Sequence, residues 1–195
     1  MFRVMLDANA LVPMALADTL MRAAERGLFV PLWSERIIGE VRRAVLNARP
    51  SLSPTRVDAR LRAMHETFPE ASVAGWEPLV ATIELPDPLD RHVVAAAVLA
   101  RADAIVTANL EDFPECSLRP LGLHAVSPDT FLCDLLDLAP LVMTRVIEDQ
   151  AADARNPPLS ANDVVIALGL AGARDFAKAV AQSGLATTGD AQDRS

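Results

Sequence analysis

Short apolar segments alternate with amphipathic helices along the first two thirds of this chain, and no other sequence feature restricts the possible fold as strongly. Four apolar runs have the length and composition of buried strands: 2–6, 29–33, 104–107 and 122–126. Asn9 suits the N-cap of a first helix that runs to about residue 26, with Pro13 early enough in it to be tolerated. Residues 35–48 carry Ile and Val at helical spacing. This alternation predicts a three-layer α/β domain with a central parallel sheet.

Two other parts of the chain depart from this alternation. Residues 69–89 contain four prolines, which predicts a loop with one short strand at 80–84. Beyond residue 139 the pattern is helical only, with breaks at the proline pair 157–158 and at Gly172. We therefore expect a main domain over 1–138, a helical C-terminal extension over 139–184 and a disordered tail over 185–195.

Composition narrows the class of protein. With 195 residues, 51% of them hydrophobic, the chain can bury the core of an ordinary domain. Two cysteines, Cys116 and Cys133, exclude a disulfide-rich scaffold and a four-thiolate zinc site. No apolar run is long enough to cross a membrane, and Arg3 and Asp7 interrupt the N-terminal apolar run, which does not suit a signal peptide. We therefore expect a cytoplasmic protein without membrane attachment.

Arginine is concentrated in one stretch of this acidic chain, whose net charge is −8. Nine arginines lie between Arg22 and Arg62, against four acidic residues in the same stretch. One interpretation is a solvated helix face. The other is a surface that contacts phosphates, since a guanidinium group can bind two phosphate oxygens at once. In that case Arg42 and Arg43, adjacent on a predicted helix, are the candidate residues.

Acidic and amide side chains lie at the carboxyl ends of the predicted strands or on the turns next to them. Asp7 follows the first strand, Asn109 and Asp112 follow the third, and Asp90 precedes the helix that leads into the third strand. Open parallel sheets bind their ligands at this edge. Glu40 differs, because it lies mid-helix beside apolar positions, where a carboxylate needs a partner such as a shared cation.

Clustered carboxylates with few histidines or cysteines favour a hard divalent cation, Mg²⁺ or Mn²⁺. Such an ion supports phosphodiester hydrolysis by activating water and stabilising negative charge as it develops. Each side chain also has a simpler interpretation: Asp7 and Asp90 as helix caps, Glu40 as a solvated helix residue, and Asn109 with Asp112 as an Asx-type turn. Spacing alone leaves these alternatives open.

Four segments, taken together and in this order, carry a resemblance to a known family. They are LDANAL at 6–11, PLWSERIIGEV at 31–41, LPDPLDRHVVAAAVLARADAIVTANLEDFP at 85–114 and SPDTFL at 127–132. The third is the most specific, because it combines an acid, an Ala-rich helix, a strand ending in threonine and an acid followed by phenylalanine. Over residues 1–138 the chain resembles the PIN-domain ribonucleases, and in particular the VapC-like toxins.

The resemblance implies a metal-dependent endoribonuclease with four acidic positions. On this sequence the catalytic and metal-binding acids are then Asp7, Glu40, Asp90 and Asp112, with Mg²⁺ or Mn²⁺ as cofactor. Asn109 stands where many members carry an aspartate, and it is interpreted as a neutral ligand or an orienting group. One charge fewer at this position leaves open whether one or two ions bind.

The resemblance also implies supporting residues and partners. Thr107 is expected to donate a hydrogen bond to the Asp7 carboxylate, and Asp87 is a rival to Asp90 as the third ligand. The expected partners are an RNA substrate, whose backbone Arg42 and Arg43 would contact, and a cognate antitoxin protein; a homodimer is a further possibility. The C-terminal extension is similar to one found on a subset of these toxins.

Other protein classes fit these residues less well. Phosphatases of the haloacid-dehalogenase type need a second acid where this chain has Asn9, and receiver domains need a lysine at a late strand end, whereas Lys178 is the sole lysine. The alternative that remains is a degenerate PIN domain that binds RNA or a protein without cleaving, and Asn109 is the feature that favours it. The histidines are interpreted as structural or surface residues: His65, His92 and His124.

Overall fold

A four-stranded sheet, all of whose strands are parallel, carries the carboxyl ends at which the acidic side chains lie. The structure is a computed structural model that describes residues 2–155 and 157–182. The strands are β1 (Arg3–Leu6), β2 (Val30–Leu32), β3 (Ala104–Val106) and β4 (Ala125–Val126). The predicted three-layer α/β class with a central parallel sheet is confirmed. The tail predicted at 185–195 lies outside the described residues.

The order of the strands is β2-β1-β3-β4, so β1 and β3 occupy the centre. All three residues of β3, and Val4 to Leu6 of β1, are fully buried, which explains why both strands are continuous apolar runs instead of alternating ones. The chain leaves β1 toward β2 and later returns to the other side of β1 as β3. Connections therefore diverge beyond the carboxyl ends of β1 and β3, where sheets of this topology form a ligand-binding crevice.

Helices supply most of the remaining regular structure. The α-helices are α1 (Ala8–Leu11), α2 (Met14–Glu25), α3 (Glu35–Ala48), α4 (Pro54–Thr67), α5 (Arg91–Leu99), α6 (Glu115–Leu118), α7 (Pro128–Leu138), α8 (Pro140–Asp153), α9 (Ala161–Leu170) and α10 (Arg174–Gln182). Short 3-10 turns occupy Pro69–Ala71, Glu77–Thr82, Pro88–Asp90, Leu110–Asp112 and Arg119–Leu121. The predicted breaks at the proline pair 157–158 and at Gly172, whose φ is +104°, are confirmed, and Ser160 caps the helix that follows the first of them.

Two local predictions are wrong. The first predicted helix is interrupted at Val12 and Pro13, which separate α1 from α2. The N-cap of α1 is Asp7, which accepts a hydrogen bond from the backbone N–H of Ala8, and Asn9 lies inside α1. The strand predicted at 80–84 is instead the 3-10 helix Glu77–Thr82, which packs against α5. Its apolar residues suit a strand, but within the described sheet the segment pairs with neither edge strand, β2 or β4, and its apolar residues pack against a helix instead.

The described chain divides into two compact units. One contains the sheet and comprises the chain up to Pro13 together with Phe29–Ser127. The other comprises Met14–Leu28 together with the chain from Pro128 onward, so it joins α2 to the C-terminal helices. Inside this second unit the buried Thr19 hydroxyl donates to Gln150 Oε1 at 2.6 Å, and Gln150 Nε2 donates to the carbonyl of Ala15 at 3.1 Å. Over residues 2–155 and 157–182, no helix combines the length and the apolar character that crossing a membrane requires.

Candidate active site

Asp7 is held at the end of β1 with both carboxylate oxygens engaged. Its side chain is only 6% exposed. Oδ1 accepts the backbone N–H of Ala8 at 2.7 Å, and Oδ2 accepts the hydroxyl of Thr107 at 2.8 Å, so the hydrogen bond expected from Thr107 is present. Burial raises the pKa of Asp7 above its ordinary value. The hydrogen bonds from Thr107 and Ala8 and the charge of His92 act to lower this pKa, while the charge of Glu40 acts to raise it. Asp7 therefore caps α1 and also presents a carboxylate at the edge of the sheet.

Thr107 joins the ends of β1 and β3 through one hydroxyl. Besides donating to Asp7, its oxygen accepts from Asn9 Nδ2 at 3.0 Å and from the backbone N–H of Asn109 at 3.1 Å. Asn9 Oδ1 in turn accepts the backbone N–H of Ala108 at 2.7 Å. Asn9 thus fixes the turn after β3, a role that its position near a helix start did not reveal.

Three carboxylates converge next to this network. Asp87, Asp90 and Asp112 each offer an oxygen, and these three oxygens lie within 4.8 Å of one another. Asp87 Oδ1 accepts the backbone N–H of Leu89 at 2.8 Å, so Asp87 caps the turn that carries Asp90. Asp90 makes no capping hydrogen bond of its own, which argues against interpreting it as only a helix cap.

The charges of these carboxylates act on one another. The pKa of Asp90 is raised to about 6, first by burial and then by the negative charges of Asp7, Asp87 and Asp112. The charges of Asp7, Asp87 and Asp112 thus all act on Asp90, and a bound cation would relieve this repulsion. Oxygen donors that are close together and short of positive charge suit Mg²⁺ or Mn²⁺, so the donor set fits the cofactor that the sequence predicts.

The Asn109 side chain is directed at one of these acids. Its Nδ2 donates to Asp112 Oδ2, in the short 3-10 turn that follows β3. This contact is part of the turn that the sequence allowed as a simple interpretation, and it also fixes the orientation of the Asp112 carboxylate. The geometry therefore agrees with Asn109 as an orienting group.

Glu40 is satisfied by protein side chains. Arg36 Nε and His92 Nε2 each lie 3.2 Å from Glu40 Oε1. Burial acts to raise the pKa of Glu40, but the contacts with His92 and Arg36 outweigh it, and the net pKa is lowered. Glu40 is not in the group of three converging carboxylates, although its charge acts on Asp7. The partner that this half-buried carboxylate requires is thus supplied by a histidine and an arginine.

The arginine-rich stretch is divided between the two compact units. Arg22 and Arg26 belong to the unit that holds the C-terminal helices, where they pair with Asp153 and Asp149 of α8. In the unit that holds the sheet, Arg42 contacts Asp58 through two hydrogen bonds of 2.6 and 3.2 Å. Four arginines in α3, in α4 or directly after α3 are exposed, and their side chains form no ion pair or hydrogen bond within the described chain: Arg43, Arg49, Arg56 and Arg62.

The chain belongs to the PIN domain family, whose model matches residues 3–111, more than half of the sequence. A second model, described as the VapC50 C-terminal domain, matches residues 128–182. The expected resemblance to VapC-like PIN proteins is thereby confirmed. A relative from Mycobacterium tuberculosis, named "Putative ribonuclease VapC50", is 44% identical over 80 residues, which are 41% of this chain and 47% of the relative. The match thus spans about half the length of that relative. No solved structure matches the chain significantly.

Proposed function

We propose that this protein is a metal-dependent endoribonuclease that hydrolyses RNA phosphodiester bonds at the carboxyl edge of its sheet. The observation that carries the proposal is the group formed by Asp87, Asp90 and Asp112, whose oxygens lie within 4.8 Å of one another. Membership of the PIN domain family and similarity to a protein named as a ribonuclease support it.

Each acidic side chain has a proposed part. Asp87, Asp90 and Asp112 would hold Mg²⁺ or Mn²⁺. Asp7 and Glu40, the other two acids that the resemblance implies, remain proposed as catalytic and metal-binding residues beside them. The bound ion would supply activation of water and stabilisation of the negative charge that develops on phosphate oxygens. Without neutralisation, the carboxylates would repel the RNA phosphate, so RNA binding at this edge should depend on the divalent ion.

A cleavage assay tests the proposal. The purified protein should cleave single-stranded RNA in Mg²⁺ or Mn²⁺ and lose this activity in EDTA. Asp112→Asn should lower the rate at least 100-fold, because it removes a ligand charge without changing the size of the side chain. Asp134→Asn, an exposed change on α7, serves as the control and should leave the rate unchanged. Equal rates for both variants would reject the site.

The alternative function is binding without cleavage, and the replacement of an acid by Asn109 is what favours it. Calorimetry separates the two. A catalytic site should show saturable binding of one or two Mn²⁺ ions per chain, whereas a degenerate site should show no saturable binding. RNA binding that persists in EDTA, without cleavage in any divalent ion, would support the degenerate domain.

We propose further that the ribonuclease acts as a toxin in the cytoplasm and is neutralised by a cognate antitoxin. A basic segment of that partner could place an Arg or Lys against the carboxylates and compete with the metal, and the net charge of −8 favours its approach. Expression of the wild type in a suitable bacterium should arrest growth, while Asp90→Ala should not. Equal growth at equal protein levels would leave a housekeeping nuclease as the better account.

We also propose that the protein forms a homodimer, which light scattering of the purified protein tests.

A further inference from the structure

His92 is buried at the start of α5, two residues after Asp90, and its side chain is 1% exposed. Its Nε2 lies 3.2 Å from Glu40 Oε1. Trp76, itself 8% exposed, packs against the ring with a centroid separation of 5.7 Å and an interplanar angle of 48°. The imidazole is therefore fixed between an indole ring and a carboxylate.

The other ring nitrogen of His92 has no partner. Nδ1 is buried and makes no hydrogen bond within the described residues. A buried polar atom without a partner costs about 1–3 kcal/mol, so an apolar side chain would suit this position better if packing were its sole purpose. The polar character of the ring is used at Nε2 alone. Since Glu40 Oε1 accepts a hydrogen bond from Nε2, we assign the tautomer of His92 that carries its proton on Nε2.

Glu40 is held through one of its two oxygens. Both His92 Nε2 and Arg36 Nε contact Oε1, while Oε2 makes no hydrogen bond within the described residues. Arg36 also donates from its NH2 group to the carbonyl of Leu89 at 3.2 Å, in the turn that carries Asp90. The two donors thus fix Glu40 relative to that turn and leave one carboxylate oxygen available.

We propose that His92 is a positioning residue for Glu40, which orients the carboxylate so that Oε2 can act in the metal and RNA site. The inference rests on the proposed function, because Glu40 needs to be oriented only if its free oxygen is used. Residues that orient such carboxylates through a second contact typically change metal affinity or activity by about 10- to 100-fold when they are replaced.

A pair of polar variants tests this role. In His92→Gln the amide nitrogen lies about as far from Cα as Nε2 of histidine, so it should still donate to Glu40. The amide of His92→Asn is too short to reach it. We expect His92→Asn to lower both Mn²⁺ affinity, measured by calorimetry without RNA, and RNA cleavage by about 10- to 100-fold, and His92→Gln to retain both within about 3-fold. Val93→Ala, a buried change on the same helix, is the control for packing.

A double-mutant cycle then distinguishes positioning from general support of the fold. In a Glu40→Gln background, His92→Asn should cause no further loss, because the carboxylate through which it acts is already absent. Further loss in that background, equal loss in His92→Gln and His92→Asn, or full activity of His92→Asn would each overturn the proposal. A wild-type protein that neither binds Mn²⁺ nor cleaves RNA would overturn the proposed function, and the role of His92 with it.

Discussion

At the scale of single residues, the site depends on buried polar groups that leave little room for substitution. The Thr107 hydroxyl, fully buried, connects Asp7, Asn9 and the turn after β3. Its hydrogen bond to Asp7 was predictable from the resemblance, whereas the role of Asn9 was not, because no local pattern reveals a partner 98 residues away. The contact of Glu40 with His92 was missed for the same reason, and His92 was interpreted only as structural or surface.

Thr107→Val should destabilise the protein by about 2–3 kcal/mol, because the change leaves the buried Asp7 Oδ2 and the half-buried Asn9 Nδ2 without their partner. Chemical denaturation followed by circular dichroism measures the change. Thr82→Val is the matched control, since its hydroxyl contacts the Leu79 carbonyl at an exposed position and its loss should cost about 0.5 kcal/mol or less. Equal losses in the two variants would contradict the network.

Asp90→Asn should stabilise the metal-free protein at pH 7. The pKa of Asp90 in the folded protein is raised to about 6, so its contribution to stability is fully present below its unfolded pKa and is lost as pH rises toward and through 6. After allowance for solvent screening of this half-exposed group, the gain at pH 7 is about 1 kcal/mol, or a rise in Tm of about 2–4 °C.

The gain from Asp90→Asn should disappear at pH 4, where the wild-type carboxyl is protonated too. Thermal unfolding in EDTA at both pH values measures it. Added Mn²⁺ should raise the Tm of the wild type but not that of the variant. A variant that is less stable than the wild type at pH 7 in EDTA would show that burial of the Asp90 charge and repulsion by the neighbouring carboxylates do not destabilise the folded protein.

At the scale of elements, the strands were the most predictable parts, because the buried runs around Val4 and Ile105 are apolar without interruption. The prediction of a strand at 80–84 was wrong, because a strand-like composition does not show whether the segment lies beside a strand with which it can pair. The arginines of α3 and α4 show a further limit. Their number was evident from the sequence, but which of them pair with acids depends on helix packing, as the contact between Arg42 and Asp58 shows.

The contact between Arg42 and Asp58 should compete with RNA. Asp58→Asn should strengthen RNA binding, because it frees Arg42 for phosphate at little cost to stability, exposed pairs being worth about 0–1 kcal/mol. Arg43→Gln should weaken binding and reduce the slope of log affinity against log salt by about 1. Fluorescence anisotropy with catalytically inactive protein, at several salt concentrations, measures both effects.

The control for Asp58→Asn is Asp134→Asn, which removes the same charge from α7 in the other compact unit. If both variants strengthen binding equally, net charge and not the release of Arg42 is responsible. If Arg43→Gln leaves affinity unchanged at low salt, the interpretation of this surface as a solvated helix face stands.

At the scale of the whole molecule, α2 packs with the C-terminal helices, although it lies within the segment that matches the PIN domain model. The boundary predicted between 138 and 139 therefore remains a proposal that can be tested directly. The sequence could not anticipate this packing, because the amphipathic pattern of α2 shows which face is buried but not which helices cover it.

Removal of residues 139–195 should leave α2 without its partners on α8 and α9. The deletion takes away buried side chains of this unit, among them Met143, Val146 and Leu168, and so leaves Leu20 of α2 without most of the apolar core of its unit. We expect the shortened chain to have a lower Tm by at least 10 °C or to aggregate. Thermal unfolding and size-exclusion chromatography provide the comparison. A soluble shortened chain with an unchanged Tm would establish residues 1–138 as an independent domain.

The hydrogen bond between Thr19 and Gln150 also restricts when this unit can fold during synthesis, because translation makes Thr19 long before Gln150. The two residues are 131 positions apart, and a ribosome adding about 5–20 residues per second needs roughly 7–26 s to cover that distance. During this interval the apolar face of α2 has no partner, because α8 and α9 have not yet been synthesised. The unit that α2 shares with α8 can therefore assemble only after α8 has been synthesised, and a message truncated before the codon for Gln150 yields a polypeptide that cannot complete it.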